Sequence, residues 1–358
     1  MINFRSIGKL LVRLVVAVAL VPIHLFLINW VQMKFLCNYS KPDQRDNYLN
    51  TLILTDPHLL GPRKGHWLDR LVRETEMAAS FRVAIRIFQP DLIVFLGDTL
   101  DEGLTVSQEE WKNYLNHMRW VFPMDETQKR IFIPGNHDIG FHDHVKKYEP
   151  FLRRRFENAF NSSLVDLKTI GGINFITVNS MALEGDGCPI CSEAERGLNR
   201  VADILGPPSP TNRPVLLQHF PLYRPNDKNC NEIDSATGND RERTYLPGYW
   251  CVSQEASRRM LELFRPRLAF AGHIHSGCIT KHFDTEEWTV ASFNWRNRMD
   301  PNFLLLQISP DSYHISKCFL PPEIIIFSTH VVVFVAVLFI YPLFFREKQT
   351  SVLKKNKS

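Results

Sequence analysis

Net charge is nearly absent from this 358-residue chain: 42 lysines and arginines stand against 38 aspartates and glutamates, leaving +4. The basic residues form no long tract, so nothing points to nucleic acid and no such partner is expected. Internal repeats and low-complexity segments are also missing, which argues against a solenoid or a disordered scaffold. Paired thiolate motifs are absent too. Cys188 and Cys191 form a CxxC with no second CxxC or HxxxH half, so a zinc site there lacks its other ligands. A local disulfide between the two is the other reading. Seven cysteines is an odd number, so at least one thiol stays free or pairs elsewhere.

Two runs lack formal charge altogether, residues 14–33 and 324–345, a proton on His330 aside. About 20 apolar residues match a bilayer core of about 30 Å. A cleaved signal peptide rivals the first span and a buried core helix rivals the second. Arg5, Lys9 and Arg13 precede the first run; Arg346, Lys348, Lys354, Lys355 and Lys357 follow the second. The positive-inside rule puts both tails in the cytosol. The expected organisation is therefore a cytosolic tail (1–13), a transmembrane helix (14–33), a lumenal domain (34–322), a second transmembrane helix (323–345) and a basic cytosolic tail (346–358). Glycosylation acceptor patterns at Asn38 and Asn161, and seven cysteines all between the spans, agree with a lumenal domain.

Within that domain, apolar β-branched runs at residues 48–55, 91–96, 130–134, 172–179, 214–217 and 267–271 read as strands. Further strands are expected at 287–292, 302–308 and 313–319. Helical spacing covers 67–88, stopped by Pro90, and about 107–122. Turn-rich loops at 206–214 and 225–247 are expected near the rim of a site. Early strand–helix alternation followed by late antiparallel strands predicts an α/β fold, a two-sheet sandwich flanked by helices.

Polar motifs stand at the strand ends, where α/β sheets build their sites. They are Asp56-Pro57-His58, Gly97-Asp98 with Asp101-Glu102-Gly103 behind it, Gly135-Asn136-His137-Asp138, Gln218-His219 and Gly272-His273-Ile274-His275. Their carboxylate, amide and imidazole groups suit two adjacent divalent cations. Such a pair binds phosphoryl oxygens, lowers the pKa of water and stabilises the attacking and leaving oxygens of an in-line displacement. Glycines ahead of Asp98, Asn136 and His273 are expected to allow sharp turns. Asp101 and Glu102 read equally well as site support or as a solvated helix start. His66, His142 and His144 read as surface or packing histidines.

The motif order resembles that of the calcineurin-like metallophosphoesterase superfamily: D-x-H, GDxxD, GNH[DE], H and GHxH. That resemblance implies a four-layer sandwich, two mixed β-sheets flanked by helices, here between two transmembrane helices. It implies that Asp56, His58 and His275 hold one metal, that Asp98 bridges, and that Asn136, His219 and His273 complete the second. His137 would protonate the leaving oxygen and Asp138 would orient it. Longer stretches (residues 55–61, 65–69, 135–141, 186–193, 215–224 and 292–298) resemble the branch that trims GPI anchors after their attachment to protein. For that branch the resemblance implies Mn²⁺-dependent removal of the ethanolamine-phosphate branch from the second mannose. GPI-anchored proteins would be the partners, and the place the early secretory pathway, from endoplasmic-reticulum exit sites through the intermediate compartment to the cis-Golgi. Cargo receptors and coat retrieval machinery are possible further partners, the latter through Lys354 and Lys355, which sit one place off the usual dilysine register. Trp295, Arg296 and Arg298 are candidate substrate contacts, since arginine suits phosphate and tryptophan stacks on sugar; a core tryptophan with surface arginines is the alternative. A phosphodiesterase for another lipid- or sugar-linked phosphate, and a silent cargo-binding protein, are the competing functions.

Overall fold

Eleven strands form two mixed sheets in the computed structural model, which describes residues 4–41, 47–125, 128–144, 151–207 and 213–340. In the first sheet β1 (Leu49–Leu54), β2 (Leu92–Phe95) and β3 (Lys129–Phe132) run parallel. Two late strands, β10 (Asn302–Ile308) and β11 (Tyr313–Phe319), extend it antiparallel beyond β1. The second sheet comprises β4 (Val165–Ile170), β5 (Ile173–Val178), β6 (Val215–Gln218), β7 (Leu268–Ala271), β8 (Cys278–His282) and β9 (Thr285–Thr289). Its order is β4–β5–β6–β7–β9–β8, parallel from β5 through β9 with an antiparallel strand at each edge.

The period of two along each strand explains the layers. Ile53, Leu92, Val94 and Ile131 share one core with Phe175, Leu217 and Phe270 of the second sheet. Their neighbours Leu52, Leu54, Ile93 and Phe95 face the other way, under α2 (Trp67–Phe88) and α3 (Gln108–Val121). Ile176, Val178 and Leu216 lie in the same helix-facing core as residues of α6 (Pro189–Leu205) and α8 (Gln254–Phe264). These side chains are fully buried, each contributing about 1.5–3 kcal/mol. Helix starts follow local chemistry: Ser107 and Glu110 form a capping box on α3, and the His66 ring caps α2. Short elements complete the chain, α4 (Asn136–Ile139), α5 (Phe151–Phe160) and α7 (Gly238–Glu242).

Outside the sandwich, α1 (Phe4–Leu36) is an apolar helix whose side chains Val12, Val15, Val18 and Leu27 are exposed. Its last turns pack on α2, where Asn29 accepts a hydrogen bond from Ser80 Oγ at 2.7 Å. Among the described residues α1 is the one helix long and apolar enough to cross a membrane. A second apolar helix, α9 (Glu323–Val335), continues to Phe339 and is shorter than a span. The remainder of the expected second span, residues 341–345, and the basic tail at 346–358 lie outside the described residues. Asn38 and Asn161 are exposed.

Two disulfides join distant segments among the described residues, Cys37–Cys318 and Cys230–Cys278, while Cys188, Cys191 and Cys251 remain thiols. The local Cys188–Cys191 disulfide is thus not formed. Cys37–Cys318 clasps the end of α1 to the end of β11, just ahead of α9. The register fixes where that clasp sits. Ile53 pairs with Leu304 and Asn302 with Phe319, so β11 ends at the edge where β1 delivers Asp56.

Candidate metal centre

The polar motifs leave β1, β2, β3, β6 and β7 at their carboxyl ends and converge between the two sheets. Backbone strain marks the spot. Of nine non-glycine residues with positive φ among those described, five are Asp56, Asp98, His58, His273 and His275. Such conformations cost about 1–3 kcal/mol each and persist where the surroundings impose them. The glycines act in two ways. Gly97 has φ +109°, as a sharp turn requires. Gly135 and Gly272 have ordinary φ but admit close approach, since a Cβ would strike Asp98 in one case and Thr55 in the other. The turn expected from all three glycines holds for Gly97 alone.

Three atoms form one cluster: Asp56 Oδ1 lies 3.7 Å from His58 Nε2 and 3.6 Å from His275 Nε2, and the two Nε2 atoms are 3.1 Å apart. In a second cluster His219 Nε2 is 3.3 Å from Asp98 Oδ2 and 3.2 Å from Asn136 Oδ1, with a His273 nitrogen within 4.8 Å of the Asp98 and His219 atoms. Asp98 Oδ2 is also 3.6 Å from His58 Nε2, which places it between the clusters. Ring tautomers are set from behind. His219 Nδ1–H donates to the Leu96 carbonyl at 2.8 Å, and His58 Nδ1–H to Asp101 Oδ1 at 3.1 Å. His273 Nε2–H donates to the Tyr249 carbonyl at 2.7 Å. In its neutral form each ring turns its other nitrogen toward the cluster as an acceptor, the pattern of imidazole ligands.

Charge in this buried place is held by mutual contact. Burial favours the neutral form of Asp56, but the His58 ring 3.7 Å away and the charges of His275 and His219 overcome it and bring the carboxyl to about 2. Asp98 is likewise lowered against burial, chiefly by His219. His58 rises to about 10 despite burial, through Asp101 and Asp56, and His219 to about 9 through Asp98. Burial wins at His273, lowered to about 3 with help from His219, and at His275, lowered to about 4. Asp56 Oδ1 is buried with no hydrogen-bond partner. An orphaned carboxylate oxygen facing imidazole nitrogens fits two divalent cations: Asp56, His58 and His275 would hold one, Asn136, His219 and His273 the other, with Asp98 shared.

Placement of the remaining expected residues corrects several roles. Asp138 does not orient His137. Its buried carboxylate accepts backbone N–H groups of Leu100 at 2.9 Å, Gly135 at 2.9 Å and Thr99 at 3.3 Å, and so ties two ligand loops together. Burial and Asp98 raise its carboxyl to about 7. The group that holds His137 is Asp101, whose Oδ1 lies 2.9 Å from His137 Nδ1 while also accepting from His58. Glu102 is buried and accepts the backbone N–H of Lys64, so neither acid belongs to a solvated helix start. Trp295 is 3% exposed, and its Nε1–H donates to the Pro321 carbonyl at 2.9 Å: it is core and not substrate wall. Arg298 is engaged by Asp300, the His275 carbonyl and Ser276. Arg296, 38% exposed, stands at the rim, 4.0 Å from Asp101 Oδ2.

A cleft of about 410 Å³ opens over the clusters, lined by His137, Phe141, Arg243, Tyr249 and Trp250. Phe141 stacks on Tyr249 with ring centres 4.9 Å apart, and the Arg243 guanidinium lies 4.7 Å from the Trp250 ring centre. The expected rim loop at 225–247 runs on into this wall; its aromatic part, 245–250, carries no motif that spacing could reveal. His66 caps a helix, as a packing role predicted.

A family model described as calcineurin-like phosphoesterase matches residues 49–277. The metallophosphoesterase 1 homolog of Drosophila melanogaster is 42% identical over 301 residues, covering 80% of this chain and 79% of its own. Metallophosphoesterase 1 of Pongo abelii is 39% identical, covering 84% of this chain and 78% of its own, and that of Gallus gallus is 38% identical, covering 86% and 80%. A solved dimetal phosphatase from Danio rerio aligns over 77% of this chain and 100% of its own at 11% identity and a TM-score of 0.47, too distant to bear on function. Two mixed sheets under helices, ligand loops at their carboxyl edges and these relatives agree: the chain belongs to the calcineurin-like phosphoesterase family and is a metal-dependent phosphoester hydrolase.

Proposed function

We propose that the chain removes the ethanolamine-phosphate branch from the second mannose of GPI anchors, acting on GPI-anchored proteins in the lumen of the early secretory pathway and promoting their export from the endoplasmic reticulum. The observation that carries this reading is the edge shared by site and anchors. The end of α1, the Cys37–Cys318 clasp and the start of α9 lie at the edge of the first sheet that bears Asp56. With both helices in the bilayer as paired spans, the cleft is held at the height of a glycolipid head group. Two disulfides support an oxidising compartment. Aromatic faces at Tyr249 and Trp250 suit a sugar or an ammonium group, and Arg243 and Arg296 suit the phosphate.

The chemistry that two divalent cations supply when bound is charge against the phosphoryl oxygens and a lowered pKa for water; manganese suits this mixed oxygen and nitrogen donor set. The chain supplies the rest. His137, 36% exposed at the cleft, is fixed through its backbone N–H to Asp98 Oδ1 at 2.7 Å and through Nδ1 to Asp101. Asp101 is kept ionised against burial by His137 and His58, so it holds the ring through Nδ1 and leaves Nε2 as the nitrogen to meet the leaving oxygen. Water adds to phosphorus, the bond from phosphorus to the mannose oxygen breaks, that oxygen takes the His137 proton as ethanolamine phosphate departs, and the proton given up by the water restores His137.

Incubation of detergent-purified protein and Mn²⁺ with a GPI bearing the branch, read by glycan mass, tests the reading. Loss of the ethanolamine-phosphate mass supports it. Turnover of a generic aryl phosphodiester beside an unchanged GPI points to another lipid- or sugar-linked phosphate. Full rescue of GPI-protein export by Asp98→Asn would show that hydrolysis is not the function.

A further inference from the structure

The CxxC at the start of α6 finds its missing ligands in space. His142, from the chain just after α4, and Asp186 bring side-chain atoms to Cys188 and Cys191, and the four ligand atoms lie within 4.8 Å of one another. His142 Nε2 is 3.2 Å from Asp186 Oδ2, and Cys191 Sγ is 3.4 Å from Asp186 Oδ1. Tetrahedral zinc with bonds of about 2.0–2.3 Å sets its ligands about 3.3–3.8 Å apart, close to this spacing.

Three further features prepare the cluster. The His142 Nδ1–H donates to the Met181 carbonyl at 2.9 Å, which leaves Nε2 bare toward the acid, as in ligating histidines. Cys188 caps α6, and its Sγ accepts the Cys191 N–H at 3.2 Å, which fixes both sulfurs on the same side of the helix start. Both cysteines are buried, whereas the Asp186 side chain is 34% exposed and leaves a way in. We propose that His142, Asp186, Cys188 and Cys191 hold a zinc ion, distinct from the catalytic pair, that pins the loop after α4 to the N-terminus of α6. Phe141, next to His142, stacks on Tyr249 in the cleft wall, so this ion steadies the rim beside His137.

Cobalt reads the site separately from the dinuclear cluster, which contains no sulfur. Full-length protein stripped under reducing conditions and reloaded with Co²⁺ is expected to show intense near-ultraviolet sulfur-to-cobalt charge transfer. Cys188→Ser/Cys191→Ser is expected to lose that absorption and one equivalent of metal. His142→Ala keeps both thiols, guards against a misfolded double variant, and is expected to weaken cobalt retention by about 10-fold or more. A wild-type protein without the charge-transfer absorption overturns the proposal. So does recovery of a Cys188–Cys191 disulfide from protein isolated without reductant.

Discussion

Replacing Asp101 by asparagine separates the charge of that residue from its geometry. One oxygen, Oδ1, accepts from both His137 and His58, so an asparagine oxygen in its place keeps both histidine hydrogen bonds, while the negative charge and the Oδ2 contact with Lys64 at 3.2 Å are lost. A charge pair about 4 Å apart at an effective dielectric of 20 is worth about 4 kcal/mol. His137 is partly exposed, which screens this to roughly 3 kcal/mol, or about 10²-fold in a rate that needs its proton. The defect should therefore depend on the leaving group. Hydrolysis of a sugar phosphodiester, whose alkoxide must be protonated, is expected to fall about 100-fold at saturating Mn²⁺. An activated aryl phosphodiester, which departs unprotonated, should be nearly unaffected. Asp138→Asn, whose parent carboxylate touches only backbone N–H groups, should lower Tm without that leaving-group dependence, because at least one buried donor loses its acceptor at about 1–3 kcal/mol. Equal losses on both substrates for Asp101→Asn, or leaving-group dependence for Asp138→Asn, would refute the assignment of Asp101 as the residue that positions the proton.

Cation uptake should release protons. His58 at about 10 and His219 at about 9 are protonated at pH 7 before loading, and ligation needs them neutral; apparent affinity should rise with pH, and calorimetry in buffers of different ionisation enthalpy should detect about two protons per chain. Glu76 is buried on α2, and burial with the nearby Glu323 raises it to about 8. A raised carboxyl binds its proton more tightly in the folded state, so stability falls as pH climbs from about 4.5 to 8; Glu76→Gln should gain on the order of 2–5 kcal/mol over the parent at pH 8 and almost nothing at pH 4, read from melting curves. Cys37→Ser/Cys318→Ser opens a loop of 281 residues, for which chain entropy gives about 5.6 kcal/mol; a Tm unchanged from the oxidised parent would contradict that clasp.

Much of the site is legible in the chain because its ligands follow buried parallel strands, and continuous apolar runs ending in Asp or Gly announce both strand and ligand. Helix α2 starts and stops as expected, since Pro90 cannot continue it. Strands β4 and β8 escaped notice: VDLKTI and CITKH are half-exposed edge strands that mix charge with apolar residues. The strand expected at 287–292 lies at Thr285–Thr289, because Glu287 points inward, where it accepts the backbone N–H of Leu222 and faces Arg224 at 3.6 Å. Side-chain direction was the harder part. Nothing in GNHD or GDxxD says that Asp138 turns to the backbone and Asp101 to the histidines, or that Trp295 turns inward to Pro321. Cysteine partners 281 residues apart leave no trace in spacing.

That separation also orders events in synthesis. Cys37 emerges early, while Cys318 arrives on the last strand, after both sheets have their other members. The bond can close only once β11 has been made and brought beside the end of α1. Until then an unpaired thiol at position 37 distinguishes nascent or damaged molecules from finished ones.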